Sequence, residues 1–135
     1  QVFGNDYPTR DGSCLRDFVH VCDLAHAHTL ALKYMIDNKQ PTNCEVFNLG
    51  TGEGITVLEA IKAFEKVAGI ALNYMIGPRR EGDVIAIYSN KDKAERELGW
   101  IPKYSLDDIM KTAWLWEQKL KTDEKFYTGK NFQLN

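Results

Sequence analysis

The sequence lacks three features that would point to a nucleic acid, a membrane or an export route. Its 17 lysines and arginines are outnumbered by 19 aspartates and glutamates, for a net charge of −2, whereas a nucleic-acid partner calls for a basic excess. No apolar run approaches the roughly 18 residues of a membrane span. Residues 1–6 show neither the basic nor the apolar part of a signal peptide. We therefore expect a cytoplasmic protein that binds neither nucleic acid nor membrane.

Cysteine and histidine are too few and too widely spaced for a metal centre or a disulfide framework. The three cysteines, Cys14, Cys22 and Cys44, form an odd set that fits no zinc motif. His26 and His28 lie two positions apart on a predicted helix, so they face different directions and cannot share an ion. We expect reduced thiols and no bound metal.

Familiar catalytic motifs are also missing. Proton abstraction from a sugar hydroxyl can use a tyrosine with a lysine one helical turn later, but none of the six tyrosines has a lysine four residues after it. The sequence contains no Gly-x-Ser-x-Gly nucleophile elbow and no P-loop motif. We therefore predict that this segment contributes no catalytic residue.

What the sequence does contain is an alternation of strand and helix signals, which is typical of an α/β architecture. Its 135 residues, 44% of them hydrophobic and 27% charged, suit one globular domain. Thr56 and Glu59 form a capping-box pattern, and Gly69 can end the helix that they open. The pattern predicts strands over residues 18–22, 44–49 and 71–76, and helices from the N-cap Asp23 to about 38, from 56 to 68, over 91–98, and from 105 to about 120.

A glycine-rich loop, Gly50 to Gly54, joins a predicted strand to a predicted helix. Such a loop can hold a diphosphate with its backbone amides and the helix N-terminus. The spacing is Gly-x-Gly-x-Gly rather than Gly-x-Gly-x-x-Gly, and the next predicted strand ends in Gly-Pro-Arg where a ribose-binding acid should stand. A tight turn that needs small residues is the favoured interpretation, with dinucleotide binding as the alternative.

Arginines stand beside two of the predicted strands. Arg16 precedes the first, and Arg79 and Arg80 follow the last, with Asp83 three residues further on. Guanidinium groups from the two places could converge on one diphosphate, since the planar fork of arginine makes paired charge-assisted bonds to phosphate oxygens. The alternative is ordinary solvated charge, with Arg16 and its neighbour Asp17 forming a surface ion pair that contributes little.

Taken in order, seven short strings resemble UDP-glucose 4-epimerases, which are extended short-chain dehydrogenase/reductase enzymes. Arg-Asp-Phe-Val-His-Val and Asn-Leu-Gly are widespread in that superfamily, whereas Phe-Gly-Asn-Asp-Tyr and Pro-Arg-Arg-Glu-Gly-Asp point more narrowly to the 4-epimerases. The resemblance covers roughly residues 1–120. Its strings occupy residues 3–9, 11–12, 16–21, 23–25, 47–52, 78–83 and 97–100.

The resemblance implies that this segment binds the UDP part of a nucleotide sugar. Arg16 and Arg80 match the family arginines that grip the diphosphate, and Asp83 matches the acid that binds the ribose. The backbone of Val2 and Phe3 matches the segment that meets uracil. These residues are therefore the candidates for substrate binding.

The resemblance also implies that the chain is the C-terminal part of a larger, homodimeric enzyme. The sequence opens at Gln1 in mid-pattern, as expected of a fragment. NAD and a Tyr-x-x-x-Lys pair are expected in an N-terminal Rossmann domain upstream of Gln1, so no cofactor-binding residue is assigned here. Residues 1–121 should form the UDP-sugar-binding part and residues 122–135 a loosely held tail. Residues 19–38 and 45–50 should pack on the Rossmann domain, so without it their apolar surface is exposed.

The implied activity of the intact enzyme is the NAD-dependent interconversion of UDP-glucose and UDP-galactose at C4, with this segment inactive alone. Ile87 matches a family position beside the sugar where a large aromatic excludes an N-acetyl group and a small residue admits it. A branched side chain of intermediate size leaves both outcomes open. Two other functions also stay open: a stand-alone, non-catalytic nucleotide-binding module, and the C-terminal part of another nucleotide-sugar enzyme of the superfamily, such as a dehydratase.

Overall fold

The computed structural model describes residues 1–122, which form short strands and four helical segments. The predicted tail falls outside the described residues from 123 onward. The predicted fold class, few strands with about four helices, is confirmed. The strands are β1 (Val2–Phe3), β2 (Leu15–Arg16), β3 (Ile55–Thr56) and β4 (Ile76–Gly77), and the helical segments are α1 (Val21–Ile36), α2 (Val57–Ala68), a π-helical turn (Ala94–Leu98) and α3 (Leu106–Thr122).

The strands pair two by two and join distant parts of the chain. β1 lies parallel to β4, with Val2 opposite Ile76 and Phe3 opposite Gly77. β2 lies antiparallel to β3. On its other side, the backbone of Leu15 bonds to the segment around Ala86. These pairings bring the first sixteen residues against the segment that follows β4.

The first predicted strand, residues 18–22, is wrong because α1 begins inside it. Val21 and Cys22 are the first residues of that helix. Its N-cap is His20 rather than the predicted Asp23: the His20 Nδ1 accepts the Cys22 N–H at 3.0 Å. A histidine ring in this role is not among the usual N-cap side chains, so the capping pattern pointed to the aspartate instead.

The two later strand predictions are wrong for most of their residues because these have no neighbouring strand to pair with. Residues 44–49 form no strand, and of residues 71–76 only Ile76 belongs to one. An extended segment becomes a strand only where a second strand bonds to its backbone N–H and C=O groups. Hydrophobic periodicity shows that a segment is suited to a sheet, but it does not show whether a partner is present.

The helix signals were read more accurately, because they are local. Thr56 Oγ1 accepts the Glu59 N–H at 3.1 Å while the Glu59 carboxylate accepts the Thr56 N–H at 2.9 Å, so the predicted capping box is confirmed. Gly69 ends α2 in the left-handed conformation, with φ of 68°. Ser105 and Asp108 exchange the same pair of bonds at the start of α3. These caps satisfy N–H groups that a helix leaves unpaired at its first turn.

The core is organised around Trp100, which is fully buried. Its Nε1–H donates to the Asp23 backbone carbonyl at 2.9 Å. The buried Asp23 carboxylate accepts backbone N–H bonds from Lys103 and Tyr104, so α1 is fastened to the segment before α3. A buried carboxylate needs such partners to offset its lost hydration. Trp100 clusters with Ala27 and Ala94, against Val19, Leu30, Phe47, Leu49 and Leu98.

One face of α1 carries exposed apolar side chains. Leu32, Met35 and Ile36 are each more than half exposed, and their i, i+3, i+4 spacing places them side by side. Among residues 1–122, no helix has the length and apolar character needed to cross a membrane. Nor does this part of the chain bring three or more His, Cys, Asp or Glu side chains together as metal ligands. Cys14 is buried, whereas Cys22 and Cys44 are exposed, and none of the three is in a disulfide bond within this part of the chain.

Candidate functional site

The parallel pairing of β1 with β4 places Phe3 directly beside the strand that leads to the two consecutive arginines. Val2 N–H donates to the Met75 carbonyl at 2.9 Å, and Gly4 N–H donates to the Gly77 carbonyl at 3.0 Å. The Val2 side chain is buried, which anchors the strand, whereas the Phe3 ring is partly exposed. The uracil-facing segment predicted from the resemblance therefore lies next to the arginine-bearing loop.

Arg16 enters the same region from β2. Its Nη1 donates to the carbonyls of Leu15, at 2.6 Å, and Val84, at 3.0 Å. Its Nη2 donates to Oδ1 of Asp83, forming an ion pair. Three bonds to fixed acceptors hold the guanidinium in one place.

Arg80 reaches the same carboxylate oxygen from the other side. Its Nη2 lies 3.3 Å from Asp83 Oδ1, and its guanidinium carbon lies 5.5 Å from the centre of the Phe3 ring. Asp83 N–H in turn donates to the Arg80 carbonyl at 3.2 Å, so residues 80–83 form a turn. Arg16 and Arg80, far apart in sequence, thus meet at one carboxylate oxygen; that they hold a diphosphate there stays a prediction.

The two arginines are not equivalent. The Arg16 side chain is 26% exposed and its bonds are largely taken by the protein, whereas that of Arg80 is 62% exposed and has one bond, to Asp83. The Asp83 side chain is only 10% exposed. Chemically, the arrangement offers a fixed cation, an adjustable cation and a carboxylate acceptor, which suits an anionic group that carries neighbouring hydroxyls.

The alternative pairing of Arg16 with Asp17 is wrong, because Asp17 faces a different part of the chain. Its Oδ1 accepts the Thr51 N–H at 2.9 Å and the Thr51 hydroxyl at 2.6 Å, and its Oδ2 accepts the Ser89 N–H at 3.0 Å. Burial alone would raise the pKa of Asp17, but these bonds outweigh it and lower the pKa. Asp17 therefore remains a carboxylate that orders two loops.

The glycine-rich loop is organised by that carboxylate. Backbone N–H groups of Thr51 and Gly52 point at Asp17, which occupies the donors that a diphosphate would use. A side chain at Gly50 would place its Cβ 2.2 Å from Asp17 Oδ2, so only glycine fits there. The structure therefore favours the tight-turn interpretation over dinucleotide binding.

Ile87 joins the same region through the backbone. Its N–H donates to the Leu15 carbonyl at 3.2 Å, so it lies opposite the residue that precedes Arg16. The side chain is more than half exposed. It is therefore available to a bound molecule, although it makes no described contact with Asp83 or either arginine.

Arg79 was singled out in the sequence without an assigned role, and in the structure it contacts two residues of the loop after β1. Its Nε donates to Asp6 Oδ1 at 2.8 Å and its Nη2 to the Asp6 carbonyl at 2.7 Å, while its guanidinium carbon lies 4.2 Å from the centre of the Tyr7 ring. The bond from Arg79 lowers the pKa of Asp6. No local spacing links positions 6 and 79, so sequence patterns gave no signal for this pair.

A separate cavity of about 370 Å³ is lined by other residues, and none of the six candidate site residues contributes to it. Lys91, which contributes to its wall, has its Nζ bonded to the Thr51 carbonyl at 3.0 Å. Concavity alone therefore points away from the arginines. We place the candidate site at Arg16, Arg80 and Asp83 because three charged groups from two distant segments meet there. The cavity is lined by Phe18, Thr51, Glu53, Ile55, Lys91, Pro102, Lys103, Tyr104, Ser105 and Leu106.

Comparison with known proteins gives consistent matches. A family model described as GDP-mannose 4,6 dehydratase matches residues 1–113. A bifunctional UDP-glucose 4-epimerase and UDP-xylose 4-epimerase of Arabidopsis thaliana is 46% identical over 118 residues, which are 87% of this chain and 33% of that protein. A UDP-glucose 4-epimerase of Bacillus subtilis is 46% identical over 116 residues, covering 86% of this chain and 33% of the relative.

Solved structures agree. The chain superposes with a TM-score of 0.86 and 43% identity on a UDP-glucose 4-epimerase from Stenotrophomonas maltophila bound to NAD and formylated UDP-arabinopyranose, covering 90% of this chain and 35% of that one. For a Bifidobacterium longum enzyme in complex with NAD⁺ and UDP, the TM-score is 0.79 and the identity 46%, covering 88% and 34%. The chain thus spans about a third of the length of the relatives that it matches.

Proposed function

Because this chain belongs to the extended short-chain dehydrogenase/reductase family matched by the GDP-mannose 4,6 dehydratase model, we propose that it supplies the UDP-binding part of an NAD-dependent UDP-glucose 4-epimerase. The observation that carries the proposal is the convergence of Arg16 and Arg80 on a single oxygen of Asp83. Two guanidinium groups held that close together form a receptor for a compact, multiply charged anion such as a diphosphate.

The diphosphate, the ribose and the uracil of UDP are each assigned to residues that lie around Asp83. Arg16 provides the fixed cation, and Arg80 turns from Asp83 to the diphosphate because most of its donors are unengaged. Asp83, relieved of Arg80, accepts hydrogen bonds from the ribose hydroxyls. The backbone of Val2 and Phe3 meets uracil, in keeping with the position of β1 beside the arginine loop.

This arrangement suits epimerisation because it anchors the nucleotide and leaves the sugar untethered. Affinity comes from the UDP part, so the hexose can present either face of C4 without losing its hold on the protein. NAD, which would supply the reversible oxidation at C4, is proposed to lie in an N-terminal Rossmann domain outside this chain, because Asp17 already accepts from backbone donors of the glycine loop. Ile87 is proposed to flank the sugar, and a homodimer is proposed for the whole enzyme.

Calorimetric titration of UDP onto the 135-residue chain tests the anchor directly. Arg16→Ala and Arg80→Ala should each weaken UDP binding by at least about tenfold, since each removes a charge-assisted contact. Arg10→Ala is the matched control: Arg10 also bonds to a carboxylate and a backbone carbonyl, but those belong to Glu59 of α2 and to Gly54, which precedes β3. Equal affinities for all the variants would contradict the assignment.

A chimera tests the enzyme assignment. In it, this chain replaces the matching third of the Bacillus subtilis relative, and conversion of UDP-galactose to UDP-glucose is measured. Activity that Arg16→Ala and Arg80→Ala reduce would support an epimerase part. An inactive, folded chimera whose chain still binds UDP would favour the stand-alone nucleotide-binding module. If the chimera acts only on another nucleotide sugar and eliminates water from it, the result would favour the alternative that this chain is part of a dehydratase.

A further inference from the structure

Consecutive arginines after β4 engage different parts of the molecule. Arg80 bonds to Asp83, whereas Arg79 bonds to Asp6 in the loop that follows β1. We infer that Arg79 is a positioning residue: it fastens the segment that carries Phe3 to the segment that carries Arg80, and so sets the distance between the base-binding and diphosphate-binding parts of the site. The inference rests on the proposed function of that site.

Three contacts of Arg79 restrain the loop from one side. The guanidinium donates to both the side chain and the backbone carbonyl of Asp6, at 2.8 and 2.7 Å. Two bonds to one residue restrain Asp6 from shifting and from rotating. The same guanidinium lies 4.2 Å from the centre of the Tyr7 ring, and Tyr7 is buried. A planar fork satisfies these partners at once, which a lysine ammonium cannot do.

The stem of Arg79 is packed as closely as its head group. Gly4 has φ of +77°, and a Cβ there would lie 2.9 Å from Arg79 Cγ and 2.7 Å from the Tyr7 ring. The backbone pairing of β1 with β4 reaches its last described bond at Gly4 N–H to Gly77 carbonyl. Beyond that bond, the Arg79 side chain continues the connection between the two segments.

The Arg79–Asp6 pair fixes the position of the loop but contributes little to the stability of the fold. The Arg79 and Asp6 side chains are 47% and 68% exposed, and exposed ion pairs contribute little to the free energy of unfolding. Removing the pair should therefore leave the melting temperature nearly unchanged while the loop gains freedom. A loss of ligand affinity without a loss of stability is the signature that a merely structural role would not give.

The charge of Arg79 is separable from its positioning role. Arg79→Lys keeps the cation and loses the fork. Asp6→Ala removes an acid near the site, so simple electrostatic attraction would make an anion bind more tightly, whereas loss of positioning makes UDP bind more weakly. The two explanations thus predict opposite signs for the same variant.

The experiment measures the affinities of the 135-residue chain for UDP and for inorganic pyrophosphate by calorimetry, with melting temperatures taken alongside. Arg79→Lys and Asp6→Ala should each weaken UDP binding about tenfold, the cost of restoring order to the loop, and change pyrophosphate binding by less than about twofold. Arg10→Lys should change neither affinity, because this 48% exposed arginine of the same loop bonds to Glu59 of α2 and to Gly54, not to the segment that carries Arg80.

Unchanged UDP affinity in both site variants would overturn the inference. An equal loss for UDP and pyrophosphate would overturn it too, because it would mean that Arg79 does not set the distance between the two parts of the site. If Arg79→Lys does not fold, Asp6→Ala decides alone, because its side chain is the more exposed of the two. A chain without substitutions that fails to bind UDP would overturn the proposed function, and this inference with it. A chain that binds UDP while the variants match it would leave the function standing and reject only the role of Arg79.

Discussion

Asp83 takes one donor from each of the two arginines that are proposed to hold a diphosphate. Its Oδ1 accepts from Nη2 of both Arg16 and Arg80, so the carboxylate holds the two cations in register before any ligand arrives. A ligand anion must displace at least the Arg80 bond, and it approaches against the negative charge. The same side chain is the proposed acceptor for ribose hydroxyls. Its competition for the arginines affects both pyrophosphate and UDP, whereas its bonds to ribose affect UDP alone.

Asp83→Asn should separate these roles. Inorganic pyrophosphate should bind more tightly, by about three- to tenfold, because the competing charge is removed and an amide is a weaker acceptor. UDP should gain less, since the neutral amide is also a poorer acceptor for the ribose. The measurement is the ratio of the two affinities by calorimetry.

Asp107→Asn is the control for that ratio, because Asp107 pairs with Lys66 between α2 and α3, away from the arginines. An Asp83→Asn chain that binds pyrophosphate less tightly than the original would show that the carboxylate mainly organises the arginines.

The stability of helix α2 depends on the hydrogen bonds at its first turn. Thr56 is fully buried and its hydroxyl donates to Asp11 Oδ2 while accepting the Glu59 N–H. The Asp11 carboxylate also accepts from the Ser13 hydroxyl and N–H, at 2.8 and 3.0 Å. The capping box is therefore part of a network that ties α2 to the loop after β1.

Thr56→Ala should lower the free energy of unfolding by about 1–2 kcal/mol, since it removes an N-cap and leaves buried partners unpaired. Thr29→Ala is the control: its hydroxyl bonds to the Ala25 carbonyl in the middle of the exposed side of α1. Urea unfolding followed by circular dichroism measures both. Equal effects for the two variants would argue against the cap.

Local sequence patterns predicted the capping boxes of this fold but not its strands. Capping boxes at Thr56 and Ser105 were predictable because all their partners lie within three residues. The strand prediction for residues 18–22 failed because α1 begins inside it, and that for residues 44–49 failed because a sheet needs a neighbour that local patterns do not name. Placing the site at Arg16 and Arg80 depended on a family resemblance, and the Arg79–Asp6 pair, 73 positions apart, was beyond either kind of reasoning.

For the whole molecule, carboxylates dominate the pH dependence. The pKa of Asp17 is lowered although its burial opposes this, as is that of Asp11; the bond from Arg10 lowers the pKa of Glu59, and bonds from Ser105 lower that of Asp108. A carboxyl that is more acidic in the folded state than in the unfolded one stabilises the fold when ionised, because the unfolded state binds the proton more readily.

The melting temperature should therefore be level near neutral pH and fall as the pH drops below about 4.5, through and beneath the ordinary range of these groups. Asp17→Asn should start from a lower melting temperature and show a shallower fall. A melting temperature that rises between pH 5 and pH 3 would contradict the assignment. Differential scanning calorimetry from pH 7 to pH 3 provides the curve.

The exposed apolar face of α1 makes a prediction about association. Leu32, Met35 and Ile36 lie side by side in solvent, and adjoining apolar side chains of this kind favour contact with another surface. The 135-residue chain should associate as its concentration rises. Ile36→Lys should shift sedimentation toward the monomer, whereas Lys62→Ala on α2 should not.

The connections that build the site also determine when it can exist. Arg16 and Asp83 are 67 positions apart, and Asp6 and Arg79 are 73 apart. During synthesis, Arg16 is translated 67 residues before its partner Asp83, and all of α1 and α2 is translated in the interval. The proposed UDP binding should therefore appear abruptly and late in nascent chains of increasing length, which makes it a reporter of finished folding.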